Sequence, residues 1–321
     1  MTETPQQDPT FMPTLCRLLR VGREDVSRTE ALRALMADFS IETTPGGAGK
    51  IADFRDHLPK GTRVAVTFLP GGDWRDTVAT AERLAREEMR PVPHIAARSL
   101  GSRAELEAFA DRIARRCGTR EAVVLAGAVS RPTGPFTSSM DLLETGILAD
   151  LGIDRIGVAG HPEGSPDIRQ EALWSALSWK QEYAARTGAS IYICTQFAFE
   201  ATPIIQWDAA LRARSITLPV RVGLPGLATL KTLINHARAC GIGPSMRFLT
   251  KQAHQVSKLM TVNAPDALVN DLAAHVLTNP DSNIAGLHVY PLGGFEKSAT
   301  WARAVAQGRF GLTDRGLRVD T

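Results

Sequence analysis

The sequence predicts a single (β/α)8 barrel with an N-terminal helical extension. Two observations carry this expectation. Eight short apolar runs of strand length recur along the 321 residues, and each is followed by a stretch of helical pattern. In addition, several of the runs end in polar residues, as in β/α folds that place their chemistry at strand carboxyl ends. A doubly wound open sheet is the competing architecture. No GxGxxG follows an early strand, and Pro45-Gly46-Gly47-Ala48-Gly49-Lys50 lacks the spacing of a phosphate loop. That segment reads instead as a flexible loop at the barrel mouth.

The elements follow in order. Residues 1–37 form a polar, Pro-rich lead-in and an amphipathic segment (Leu15 to Met36), with Ser27 and Glu30 spaced as a capping box and Leu32, Leu35 and Met36 as its apolar face. Residues 38–306 hold the barrel. Its strands are predicted at Phe39–Thr43, Arg63–Phe68, Pro91–Ala97, Ala122–Gly127, Ile156–Gly160, Ser190–Gln196, Pro219–Leu224 and Ala285–Tyr290. Helices are expected over 49–58, 76–89, 102–116, 138–151, 168–187, 202–213, 228–240, 266–277 and 295–306. Residues 307–321 read as a tail.

Composition excludes several classes. The apolar content is 44% without a run long enough to cross a bilayer, so a soluble protein is expected, with no membrane partner. The first ten residues lack an apolar signal core, which makes the cytoplasm the default location. A net charge of +3 is too small to argue for nucleic acid. Cys16, Cys117, Cys194 and Cys240 are scattered without a CxxC, against disulfides and zinc. No HxH pair suggests a metal, and no GxSxG elbow suggests a nucleophile. Oligomeric state is left open.

If the barrel closes, the strand-end residues share one mouth: Glu42, Thr67, His94, the Gly127-Ala128 pair, His161 with Glu163, Gln196, the Leu224-Pro225-Gly226 turn and Tyr290. Each has a plainer explanation as well. A histidine on an apolar strand, such as His94, is usually a hydrogen-bonded core residue, and His288 inside strand eight reads as structural. Phe197 and Phe199 read as core before they read as a stacking platform. Gln196, at the end of a buried strand, must find partners, because an unpaired buried amide costs about 1–3 kcal/mol.

Taken together these residues resemble the 5,10-methylenetetrahydrofolate reductase family. Ser40-Ile41-Glu42-Thr43-Thr44-Pro45-Gly46 stands where that family has a Ser-Phe-Glu-Phe-Phe-Pro-Pro type segment, and Val66-Thr67-Phe68 is similar to its Val-Thr-Tyr. Pro93-His94, His161-Pro162-Glu163 (against Tyr-Pro-Glu) and Thr195-Gln196-Phe197-Ala198-Phe199-Glu200 (against Thr-Gln-Phe-Phe-Phe-Asp) follow in the same order. So do Leu224-Pro225-Gly226-Leu227 and His288-Val289-Tyr290. The resemblance covers roughly residues 38–306. It implies a barrel that reduces a folate methylene bridge to a methyl group by hydride transfer. Glu42 is then the general acid at the departing nitrogen, with a pKa raised by burial, and Gln196 reads the pterin ring. Phe197, Thr67, Leu230 and Tyr290 complete the folate site, with Leu230 at the position of an aromatic residue that stacks on the aminobenzoate. His94, His161, Glu163, Gly127 and Ala128 fall at cofactor-binding positions.

The departures bear on the cofactor. The family's Leu-Arg-Gly-Asp after strand four is here Leu125-Ala126-Gly127-Ala128, without either charge. The basic pair that holds the flavin diphosphate aligns with Tyr183 and Ala184, with Lys180 and Arg186 the nearest bases. The arginine that meets the folate tail falls on Gly293 or Gly294. FAD binding is therefore expected to be weak or absent, with NADH or NADPH passing hydride directly to the folate. A tetrahydrofolate-dependent methyltransferase and a folate-binding protein without catalysis are the alternatives.

Overall fold

A computed structural model of the chain describes residues 28–239, 262–313 and 316–319. Its centre is a closed parallel barrel of eight strands: β1 (Ser40–Thr43), β2 (Arg63–Val66), β3 (Arg90–Ala96), β4 (Glu121–Leu125), β5 (Arg155–Gly160), β6 (Ser190–Phe197), β7 (Val220–Pro225) and β8 (Ile284–Tyr290). The strands are neighbours in chain order, and β8 returns to pair with β1, Ser40 opposite His288. Both strand faces are covered, one by helices and one by the barrel interior. This is why the runs read as nearly continuous Val, Ile and Ala rather than as an alternation.

Helices α1 (Arg28–Met36), α2 (Trp74–Arg86), α3 (Arg103–Cys117), α4 (Gln170–Thr187), α5 (Ala201–Ala213), α6 (Leu230–Ala239), α7 (Asp266–Thr278) and α8 (Phe295–Ala306) accompany the barrel. The expected apolar face of α1 is buried through Leu32, Leu35 and Met36, and the helix packs on α7 and α8. Ser27, of the anticipated capping box, lies outside the described residues, as do Cys16, Cys240 and His254. The segment read as a tail carries an antiparallel ribbon, Phe310–Thr313 with Gly316–Val319, whose second strand packs on α7.

Two helical expectations are corrected. The stretch 49–58 is not a helix. Pro45–Ala48 forms one turn capped by the Thr44 hydroxyl, which accepts from the Gly47 N–H at 2.9 Å, and Phe54–Asp56 forms a 3-10 turn capped by Asp53. Glycines at 46, 47 and 49 make a longer helix entropically expensive. The cap and the following turns also order the segment anticipated as a flexible loop. The stretch 138–151 breaks into Ser139–Glu144 and Ile147–Asp150 at Gly146, whose φ of +74° ends the first helix.

The barrel interior is layered. At the amino-terminal end Arg63, Glu121, Arg155 and Arg221 converge with Asp38 from the α1–β1 turn. The carboxylate of Asp38 pairs with Arg63 and lies 2.8 Å from Arg221, and Glu121 lies 3.6 Å from Arg63 and 3.4 Å from Arg155. Further along the strands comes an apolar layer of Ala65, Val92 and Val123, with Leu125 against it. Gly157 admits the Tyr192 ring beside this layer, because a Cβ there would fall 2.7 Å from the phenol oxygen. The carboxyl ends of the strands hold the candidate site.

Candidate active site

Side chains on a strand alternate, so Ser40 and Glu42 of β1 share one face, as do His288 and Tyr290 of β8. Closure of the barrel brings those faces together. Glu42 Oε2 lies 3.6 Å from His288 Nε2 and 3.8 Å from His94 Nε2 on β3. These are ion-pair separations, longer than hydrogen bonds. The other nitrogen of His288, Nδ1, is hydrogen-bonded to Ser40 Oγ at 2.8 Å. The Thr67 hydroxyl stands near enough to stabilise charge on Glu42.

The expected upward shift of the Glu42 pKa is corrected. Burial does push it up, but the His288 side chain, then His94 and the Thr67 hydroxyl, together outweigh burial and leave it below the usual carboxylate value. Burial drives His94 down despite the attraction of Glu42. At neutral pH the site therefore rests as a carboxylate beside a neutral imidazole.

A wall of contacts runs from this cluster to β6. The His288 and Tyr290 rings meet edge to face at 4.6 Å. The Tyr290 hydroxyl donates to the Thr195 carbonyl at 2.9 Å and stands 3.9 Å from Cys194 Sγ, while Phe197 meets the Tyr290 ring at 5.7 Å. Cys194 is pushed up to about 12 by burial and then by the Glu42 charge, so it is a protonated thiol and no nucleophile. Gln196 is half-buried beyond it, within the β6 irregularity between Cys194 and Phe197. Glu42 and Gln196 thus lie on strands whose ends are bridged by Tyr290.

Other expected site residues lie elsewhere on the mouth. Gly127 has φ +90°, and a Cβ there would come 3.1 Å from that of Ala96, so only a small residue fits; Ala128 is exposed. His161 and Glu163 are half-buried in the turn after β5, closed by the Gly164 N–H donating to the His161 carbonyl at 3.0 Å. Leu230 does not offer a stacking surface: it is buried at the start of α6 in a small cluster with Ala228, Leu233 and Ala237, against Phe199 and Leu292.

At the position of the diphosphate-holding pair, Tyr183 is buried and spends its hydroxyl on the Leu143 carbonyl at 3.1 Å, and Ala184 offers no donor. Together with uncharged Ala128, this donor set does not fit a flavin diphosphate. Lys180 is the nearest buried base, on the inner stripe of α4 with Leu173, Leu177 and Tyr183. Burial lowers its pKa to about 8, and burial and then Lys180 lower that of His161 to about 4.

Below about pH 8 both folded and unfolded chains carry the Lys180 charge, and the folded one bears the full burial penalty. Stability therefore rises between about 8 and 10.5, where only the unfolded chain holds the proton. Lys180→Met is expected to stabilise the protein at pH 7 by about 3 kcal/mol and to flatten that alkaline rise. Urea midpoints across pH check both, and a destabilised variant would show that the ammonium has a partner.

His288 and Ser40 are the residues that sequence reasoning underrated. The available signal was a serine two positions before Glu42 and a histidine two before Tyr290, on strands that pair only when the barrel closes. Among the described residues no group of His, Cys, Asp and Glu could hold a metal ion, and no helix is long and apolar enough to cross a membrane.

No family model matches the chain. Over 143 residues, 43% of its length, it is 24% identical to methylenetetrahydrofolate reductase 2 of Saccharomyces cerevisiae, and the match spans 22% of the yeast protein. Its fold is similar to that of an uncharacterized protein from Clostridium thermocellum that binds two copies of 5-methyl-5,6,7,8-tetrahydrofolic acid. The TM-score there is 0.52 at 13% identity, over 88% of this chain and 98% of the other. The chain is a (β/α)8 barrel whose sequence similarity to a methylenetetrahydrofolate reductase covers less than half of its length.

Proposed function

We propose that the protein interconverts 5,10-methylenetetrahydrofolate and 5-methyltetrahydrofolate, with NADH or NADPH exchanging the hydride directly and no resident flavin. The observation that carries this reading is a half-buried carboxylate, Glu42, framed by two imidazoles and joined through His288 and Tyr290 to the strand end that bears Gln196. Such a site can move one proton beside a flat polar ring. Gln196 both donates and accepts, as the edge of a pterin requires. Phe197 and Tyr290 supply apolar ring surface nearby, and Thr67 faces the acid.

In the reducing direction Glu42 delivers a proton to the nitrogen that leaves the methylene bridge, and in the oxidising direction it takes that proton back. The nicotinamide supplies or receives the hydride. Because Glu42 rests as a carboxylate, the reducing direction gains and the oxidising direction loses as pH falls toward its pKa.

The purified protein is expected to be colourless and to oxidise NADH or NADPH only when methylenetetrahydrofolate is present. A flavin absorption band retained through dialysis would overturn the flavin-free reading. Methyl transfer from methyltetrahydrofolate to a corrinoid or thiol without nicotinamide turnover would replace the reductase reading. Folate binding by calorimetry, with no turnover at high protein concentration, would make the chain a folate-binding protein.

A further inference from the structure

The resemblance assigns His94 to a cofactor, whereas the structure turns it toward Glu42. Its Nε2 faces the carboxylate at 3.8 Å, and its Nδ1 is buried without a hydrogen-bond partner. A buried N–H left without an acceptor is rarer and costlier than a lone pair left without a donor. The ring proton therefore belongs on Nε2. A doubly protonated ring would strand an N–H and bury a charge, so the ring is neutral.

His288 obeys the same logic. Its Nδ1 shares a hydrogen bond with the Ser40 hydroxyl in which either atom can donate; with the hydroxyl donating, the ring proton sits on Nε2, 3.6 Å from Glu42. Thr67 from β2, Cys194 from β6 and Tyr290 from β8 complete the surroundings. Cys194 remains a thiol, and Tyr290 spends its proton on the Thr195 carbonyl. The groups that lower Glu42 against its burial are the two imidazoles and the Thr67 hydroxyl.

We propose that His94 is a positioning residue of the proton site, a neutral imidazole whose Nε2–H is aimed at Glu42. Acting with His288, it holds the acid as a carboxylate until a ligand enters, and so sets the pH at which the site gives up its proton. The inference borrows its chemistry from the reductase reading, but it concerns the ligand-free protein and is tested there.

Nitrogen-15 NMR of histidine-labelled protein, with His94 identified by substitution, reads the tautomer, and carbon-13 NMR of labelled glutamate carboxylates follows Glu42, identified by the signal that Glu42→Gln removes. The expected result is His94 in the Nε2–H form. His94→Leu then raises the Glu42 midpoint by about one unit, a tenfold change in proton affinity. His94→Gln, which keeps an N–H near the Nε2 position, brings it most of the way back. An Nδ1–H tautomer, or a Glu42 midpoint unmoved in His94→Leu, overturns the proposal. If the leucine variant fails to fold, the wild-type tautomer and the glutamine variant decide. An inactive protein with the expected spectra would refute the reductase reading and leave this one standing.

Discussion

Glu42→Gln is expected to lower kcat by about a hundred- to ten-thousand-fold, the range for loss of a positioned general acid. Folding should be unimpaired. The substitution preserves volume, removes a buried charge and leaves His94 neutral, so no ion is stranded. The kinetic form of the loss is specific. Protonation of the departing nitrogen develops only in the transition state, so kcat and kcat/KM should fall together while folate affinity, measured by calorimetry, changes little. A variant whose kcat stays within tenfold of wild type would remove Glu42 from the acid role. A loss confined to KM would make Glu42 a substrate anchor.

Much of the fold was legible because barrel strands announce themselves. Val64 to Val66, Ile156 to Val158 and Ile191 to Ile193 are too short for helices and too apolar for loops, and each is followed by a helical pattern. What was not legible depended on contacts between distant segments. Gly146 divides a stretch whose apolar spacing suits one helix, since a single positive φ outweighs periodicity. Leu230 aligns with the family's stacking aromatic and is expected in the folate site, but it is buried in the cluster against Phe199 and Leu292. The position of Glu42 was readable from its strand, where its side chain is 16% exposed. Its protonation state was not, because that depends on His288, 246 residues away and beside it only once β8 closes on β1. A lone histidine in an apolar strand gives no sign of that neighbour.

The same closure concentrates charge at the opposite end of the barrel, where the second large effect is expected. Arg63 is 2% exposed and its guanidinium is lowered to about 9, first by burial and then by the charge of Arg221. Glu121, on β4, is the buried carboxylate between Arg63 and Arg155; Asp38, the other partner of Arg63, is half-exposed. Glu121→Leu removes the buried partner and leaves the guanidiniums in place. Leaving a buried charge wholly unpaired costs about 3–5 kcal/mol, and because Arg63 keeps Asp38 the loss here is expected near or below the lower end of that range. The urea midpoint should fall accordingly, whereas Arg63→Met added to Glu121→Leu should recover part of the loss, because an apolar replacement for the pair needs no compensation. The apolar layer of Ala65, Val92 and Val123 separates this floor from Glu42. At temperatures where the variant remains folded, its kcat should therefore match wild type. A loss below about 1 kcal/mol would mean that water already compensates the arginines, and a fall in kcat without a fall in stability would show that the floor and the mouth are coupled.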